Sequence, residues 1–253
     1  MRLVFAFAAI VGLLMGAEAT AAEIKILGSP ASREAFDELI PAFESATGHK
    51  VVVTWSGTKD IKKRIAAGEV YDIVVVARPE LDQMVKEGRI VPTSVTDMVK
   101  SRVGAAVHAG HPKPDIGSAD ALKKTLLSVS SIGYSSGPSG DHMAELFRSM
   151  GIADQIKGKL KQTPPGVRIA TVIVSGEVEL GFQQVSELTH EPGIDYIGPL
   201  PDEVQKITVF SGGIHTKASD PQAASAFLKH LTSPAAAPVI RKHGLDPGLG
   251  ALN

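Results

Sequence analysis

The chain contains no cysteine in its 253 residues. That excludes disulfides, thiolate metal sites and a lipid-modified cysteine as tether. Aromatic residues are few, with one Trp and three Tyr, which disfavours sites that stack sugar rings or cage quaternary amines. The formal net charge is -1 and no block of Lys and Arg stands out, so neither nucleic acid nor an acidic membrane surface is indicated as a partner. There is no Walker-type P-loop, no G-x-G-x-x-G and no H-E-x-x-H, and no cofactor is expected. The only long apolar run, Leu3–Met15, falls short of the ~20 residues that a membrane span needs.

That run has a different use. Arg2 before it and Ala19-Thr20-Ala21 after it make residues 1–21 a secretory signal peptide. A free, monomeric periplasmic protein is the expectation, and its remaining length allows two lobes that each bury a core.

Along the chain, strands alternate with helices. Glu23–Leu27, Val51–Trp55 and Asp72–Ala77 read as strands. The last is apolar throughout after Asp72, as a strand buried on both faces of a parallel sheet requires. Helices follow each of them. Phe36, Leu39, Ile40 and Phe43 form the inner face of the first, where Pro41 predicts a kink or break. From Pro92 to Arg102 the pattern loosens, and Val103–Val107 resumes as a strand. Ala153–Leu160 reads as a weak helix, Leu180–Gln183 and Ile194–Ile197 as short strands, and Lys206–Ile214 as extended. Repeated β-loop-α units specify an α/β fold.

The most informative stretch is Ser131–Met150. Ser131–Tyr134 is a strand, and Met143, Leu146, Phe147 and Met150 mark one helical face. Pro138, Ser139 and Gly140 open that helix. A strand feeding such a loop aims backbone N–H groups and hydroxyls at one point, a natural seat for an anion. Gly133-Tyr134-Ser135-Ser136-Gly137 also matches the nucleophile elbow G-x-S-x-G, with Asp195 and His215 able to complete a hydrolase order. A secreted serine hydrolase using Ser135 is therefore the alternative, although no oxyanion segment precedes the match. His108 and His111 are the tightest histidine pair, but they sit in a loop without the third ligand that zinc requires, and no metal site is expected.

Four polar loops share one design: Ser29–Ser32, Ser56–Thr58, Ser135–Gly140 and Gly166–Arg168. Helix capping explains any one of them. Four together, at strand C-termini that face one crevice, describe a clamshell closing on a small anion.

At these residues the chain, over about 23–247, resembles the extracytoplasmic molybdate-binding (ModA-like) proteins that deliver oxyanions to ABC importers. The resemblance lies in Phe43…Gly48, Ser56-Gly57-Thr58, Ile65-Ala66-Ala67-Gly68, Tyr71-Asp72-Ile73-Val74-Val75, Pro138-Ser139-Gly140, Val167-Arg168…Gly176-Glu177 and Leu180-Gly181-Phe182. It implies the two-lobed type II periplasmic-binding-protein fold, each lobe a mostly parallel sheet flanked by helices. Lobe 1 would comprise residues 23–103 and 212–253, and lobe 2 residues 104–211. It also implies capture of a small anion in the inter-lobe cleft and delivery to an ABC permease, with no chemistry performed. Carried onto this sequence, the donors fall on Ser29, Ala31, Ser32, Gly57, Thr58, Pro138, Ser139, Gly140 and Val167, with Gln183 and Gln184 near the family's Tyr. Two departures stand out: Gln184 replaces the phenol, and Arg78 follows the third strand. A guanidinium there suits a carboxylate or phosphate, so an organic anion is expected rather than molybdate.

Ala19-Thr20-Ala21 predicts a mature chain that begins at Ala22. N-terminal sequencing of exported protein checks this, and retention of Met1 would refute it.

Overall fold

The computed structural model describes residues 21–248. The expected signal peptide, Ala21 apart, lies outside the described residues. Among those described, no helix is long and apolar enough to cross a membrane.

In chain order the elements are β1 (Glu23–Gly28), α1 (Arg33–Thr47), β2 (Lys50–Trp55), α2 (Thr58–Ala66), β3 (Ile73–Ala77) and α3 (Arg78–Lys86). There follow β4 (Thr96–His108), α4 (Ala119–Ser128), β5 (Ile132–Tyr134), α5 (Pro138–Ser149), α6 (Ala153–Ile156), β6 (Leu160–Gln162) and α7 (Ile169–Val174). The chain ends with β7 (Leu180–Gln184), β8 (Ile194–Pro199), β9 (Ile207–Ile214), α8 (Pro221–Leu231), α9 (Ala237–Lys242) and β10 (Asp246–Pro247).

Strand order is β2-β1-β3-β9-β4-β7-β5-β6. The β2-β1-β3 and β6-β5-β7 groups are parallel, and β4 and β9 run antiparallel to their neighbours. Helices cover both faces of each half. In the first, α1, α8 and α9 bury Phe36, Phe43, Phe227 and Ile240 on one face, while Ile61, Ile65, Leu81 and Met84 pack on the other. In the second, Met143 and Phe147 of α5 cover one face and Ile169 and Ile173 of α7 the other. This is the expected two-lobed α/β architecture.

Three local expectations are corrected. The loose pattern over Pro92–Arg102 hides the first half of β4, which runs unbroken from Thr96 to His108. Its Thr96–Arg102 segment pairs with β9, and Val103–Val107 pairs with β7. Sheet pairing thus divides the halves at Arg102/Val103, and β9 joins the first half, pairing with β4 from Ile207 and with β3 over Phe210–Ile214. Pro41 does not break α1, which continues to Thr47. Pro41 and Asp37 are both exposed, so the carbonyl left without an N–H partner meets water rather than the core. The weak helix Ala153–Leu160 is one turn of α6 and a 3-10 turn, Lys157–Lys159, before β6.

Asp72 ties the first half together. Its buried carboxylate accepts from Lys25 N at 2.8 Å and from Ser219 N and Oγ at 2.7 Å each. It thereby joins β1, the start of β3 and the loop into α8. Burial works to raise its pKa, but the hydrogen bonds from Lys25, Ser219 and Asp220 outweigh it and hold the group below its ordinary value. A lowered carboxylate pKa stabilises the fold above the unfolded-state value of about 3.9 and loses that contribution as pH falls through the lower native value. Asp72→Asn should cost about 1–3 kcal/mol at pH 7. The gap from wild type in urea unfolding should narrow below about pH 4. A gap independent of pH would mean that the charge contributes nothing.

Candidate functional site

The polar loops converge as the strand directions demand. A cavity of about 50 Å³ lies between the two halves, at the C-terminal edges of the parallel strands. Ser29, Pro30 and Ala31 reach it from the end of β1, and Gly57, Thr58 and Lys59 from the end of β2. From the other half come Ser135–Ser139 after β5, Pro165–Val167 before α7, and Gln183, Gln184 and Glu187 at the end of β7. Phe210 of β9 also lines it.

Five hydroxyl residues line this space, Ser29, Thr58, Ser135, Ser136 and Ser139, and three of them, Ser29, Thr58 and Ser139, are buried with a proton free for a ligand. Those of Ser29 and Thr58 make no protein hydrogen bond among the described residues, although both residues are buried. The third is oriented by a neighbour. Ser135 Oγ accepts from Gly137 N at 3.3 Å and Gly140 N at 3.2 Å, and lies 2.9 Å from Ser139 Oγ. Two N–H donors fill the acceptor sites of Ser135, so its proton goes to Ser139 and the Ser139 proton is left for a ligand. The backbone N–H groups of Thr58, Lys59 and Ser139, in the first turns of α2 and α5, likewise have no partner among the described residues. They add the positive end of each helix to the site.

One group in this ring is of the opposite kind. Glu187 lines the cavity and is only 8% exposed. Gln183 Nε2 donates to its Oε1 at 2.8 Å, and Gln183 Oε1 accepts from Ile169 N at 2.7 Å. The backbone donor at Ile169 fixes which edge of the amide faces Glu187. Among the described residues, Oε2 of Glu187 makes no hydrogen bond. Desolvation pushes the carboxyl up to about 7, against the lowering effects of the Arg168 charge and the Gln183 hydrogen bond, with Glu34 adding to the rise. Gln184 sits alongside with Nε2 3.1 Å from Thr208 Oγ1, while its buried Oε1 has no partner.

Of the twelve residues expected at the site, the structure brings nine to the cavity: Ser29, Ala31, Gly57, Thr58, Pro138, Ser139, Val167, Gln183 and Gln184. Val167 arrives without a free donor, because its N–H bonds to Pro164 O at 3.1 Å in the turn before α7. Ser32 is spent on Ser29 O at 3.0 Å. Gly140 lies behind the wall, where a Cβ would stand 1.6 Å from Ser135 O. Arg78 is not at the site: its guanidinium pairs with Asp82 at 2.7 Å and Asp97 at 2.8 Å. The argument for a carboxylate ligand that rested on Arg78 falls with it. Sequence reasoning missed Lys59, Pro165, Phe210 and Glu187.

The hydrolase alternative finds no machinery. Ser135 Oγ is an acceptor of two N–H groups with no histidine beside it. Asp195 binds Gly110 N at 3.1 Å, and His215 Nδ1 accepts from Lys217 N at 3.0 Å in the other half. No hydrogen bond joins the three. Among the described residues, no group of three or more His, Asp or Glu side chains is placed to hold a metal ion.

Contacts across the cleft close it. Ser186 Oγ donates to Ala31 O at 2.7 Å, and Arg168 Nη2 lies 3.1 Å from Glu34 Oε1 on α1. Gly57 and Gly166 approach so closely that a Cβ on Gly57 would lie 3.0 Å from Gly166 N. Glycine at 57 permits that approach.

Comparison with known proteins agrees with this architecture. The aconitate isomerase of a Pseudomonas species is 36% identical over 230 residues, covering 88% of this chain and 87% of the relative. Molybdate-binding protein ModA of Azotobacter vinelandii is 28% identical over 252 residues, with 96% of each chain covered. Among solved structures, the periplasmic molybdate-binding protein of Azotobacter vinelandii superposes with a TM-score of 0.76 at 17% identity, covering 88% of this chain and 98% of that one. The family model described as bacterial extracellular solute-binding protein matches residues 24–246, and the chain belongs to that family as a ModA-like member.

Proposed function

We propose that the protein captures a small organic anion bearing carboxylates in the cleft between its lobes, in the periplasm, and presents it to the permease of an ABC importer. The observation that carries the ligand class is Glu187. Every oxygen of a fully ionised anion is an acceptor, and Glu187 repels it when ionised. A carboxyl that titrates near neutrality can instead donate to a carboxylate oxygen or accept from a hydroxyl of an organic acid. The relative named aconitate isomerase points to the same class, since aconitate is a tricarboxylate.

A second reading is favoured by the same residue. A buried carboxyl with no partner on one oxygen is suited to moving a proton, so the bound anion could be isomerised rather than only carried.

Isothermal titration of the mature protein with cis-aconitate, trans-aconitate and molybdate tests the ligand class. A tricarboxylate should bind and molybdate should bind weakly. Ser139→Ala, Thr58→Ala and Ser135→Ala should each weaken binding by about 1–3 kcal/mol, the last because Ser139 loses the partner that orients its proton. Tight molybdate binding with no heat from either aconitate would overturn the proposal.

A further inference from the structure

Glu187 is poorly explained as a binding group alone. Neutral donors suffice to hold an anion, and a glutamine at 187 would keep the size and add a donor without adding a charge. Its surroundings are built to hold a carboxyl in one orientation. Gln183 grips Oε1 from a position that Ile169 N locks, Oε2 makes no hydrogen bond among the described residues, and the residue lines the cavity. The charged groups around it are Arg168, itself paired with Glu34 and Glu191, and Lys59 at the cavity wall.

We propose that Glu187 is the proton carrier of a 1,3-allylic shift in a bound unsaturated carboxylate, which makes this site catalytic. The inference rests on the proposal that the cleft binds such an anion. In the step, ionised Oε2 takes a proton from a methylene carbon that lies between a carboxylate and a carbon–carbon double bond. The C–H electron pair spreads over the three allylic carbons and their carboxylates. The carboxylic acid of Glu187 then delivers its proton to the far allylic carbon, the double bond moves one position, and Glu187 returns to the carboxylate. No oxidant, reductant or second substrate enters.

The ring of donors serves the middle of this sequence. Removing the proton raises the negative charge on the ligand, and the hydroxyls of Ser29, Thr58 and Ser139 with the N–H groups of Thr58 and Ser139 face that charge. The closed cleft keeps water from them. A base also works best when its pKa lies near the working pH, and Glu187 at about 7 meets that condition.

The experiment follows trans-aconitate by proton NMR in deuterated buffer with the mature protein, which reads positional isomerisation and deuterium uptake together. Wild type should convert the probe, with a rate that rises with pH through about 7 as Glu187 ionises beside Arg168 and Glu34. Glu187→Gln should lower the rate by about 100-fold or more, while titration calorimetry shows trans-aconitate still bound. Wild type that binds trans-aconitate yet neither isomerises it nor exchanges its protons overturns the catalytic inference and leaves the binding proposal standing. So does a Glu187→Gln protein that keeps the rate. Absence of any aconitate binding removes both. Should Glu187→Gln fail to fold, the wild-type pH profile decides, and a rate flat between pH 5 and 9 (roughly two units either side of the Glu187 value) refutes the assignment.

Discussion

The geometry of this protein depends on one strand that belongs to two sheets. Over Thr96–Arg102 the peptide groups of β4 bond to β9, and from Val103 onward they bond to β7 and β8. A strand shared in this way prevents the halves from sliding along each other, since a slip would break both ladders. It leaves rotation about the point where pairing changes, near Arg102 and Val103. The C-terminal edges of β1 and β2 then face those of β5 and β7 across that axis. Cavity, closure and site all follow from the change of partners along one strand.

Electrostatics in the cleft follow a second constraint. A buried anion needs its charge met, and full cations in a dry site are costly unless paired. The chain meets it with hydroxyls and helix-start N–H groups, beside Lys59 at the cavity wall. Arg78, the guanidinium nearest in sequence to a strand end, is neutralised by Asp82 and Asp97. Arg168 is used across the cleft mouth, where its pair with Glu34 links the lobes. A partly exposed ion pair contributes little to stability.

Much of this was legible in the residues. Ile73–Ala77 is apolar at every position, and the structure buries all five. The polar loops were readable because capping residues after strands have few other uses. The first half of β4 was not, because Lys100 and Arg102 lie in it among buried Met98, Val99 and Ser101, and its mixed pattern resembles a loop. Arg78 was misjudged although Asp82, four residues on in a helix, was a visible partner. Glu187 left no trace. Its burial depends on Gln183, whose amide is set by a backbone N–H from a helix that precedes it in the chain, and no local spacing encodes that.

The features that suit capture of an anion are the same ones that the proposed proton transfer would use. Closure dries the cavity, which strengthens each donor and raises the pKa of any carboxyl enclosed with the ligand. A binding protein and an isomerase on this fold both need to open for release, so neither role alters the hinge. The donor ring stabilises the bound anion, and it stabilises more strongly an anion that has lost a further proton. What separates a carrier from a catalyst is then one side chain able to take a proton from the ligand and give it back. Among the residues that line the cavity, Glu187 is the carboxyl with that capacity.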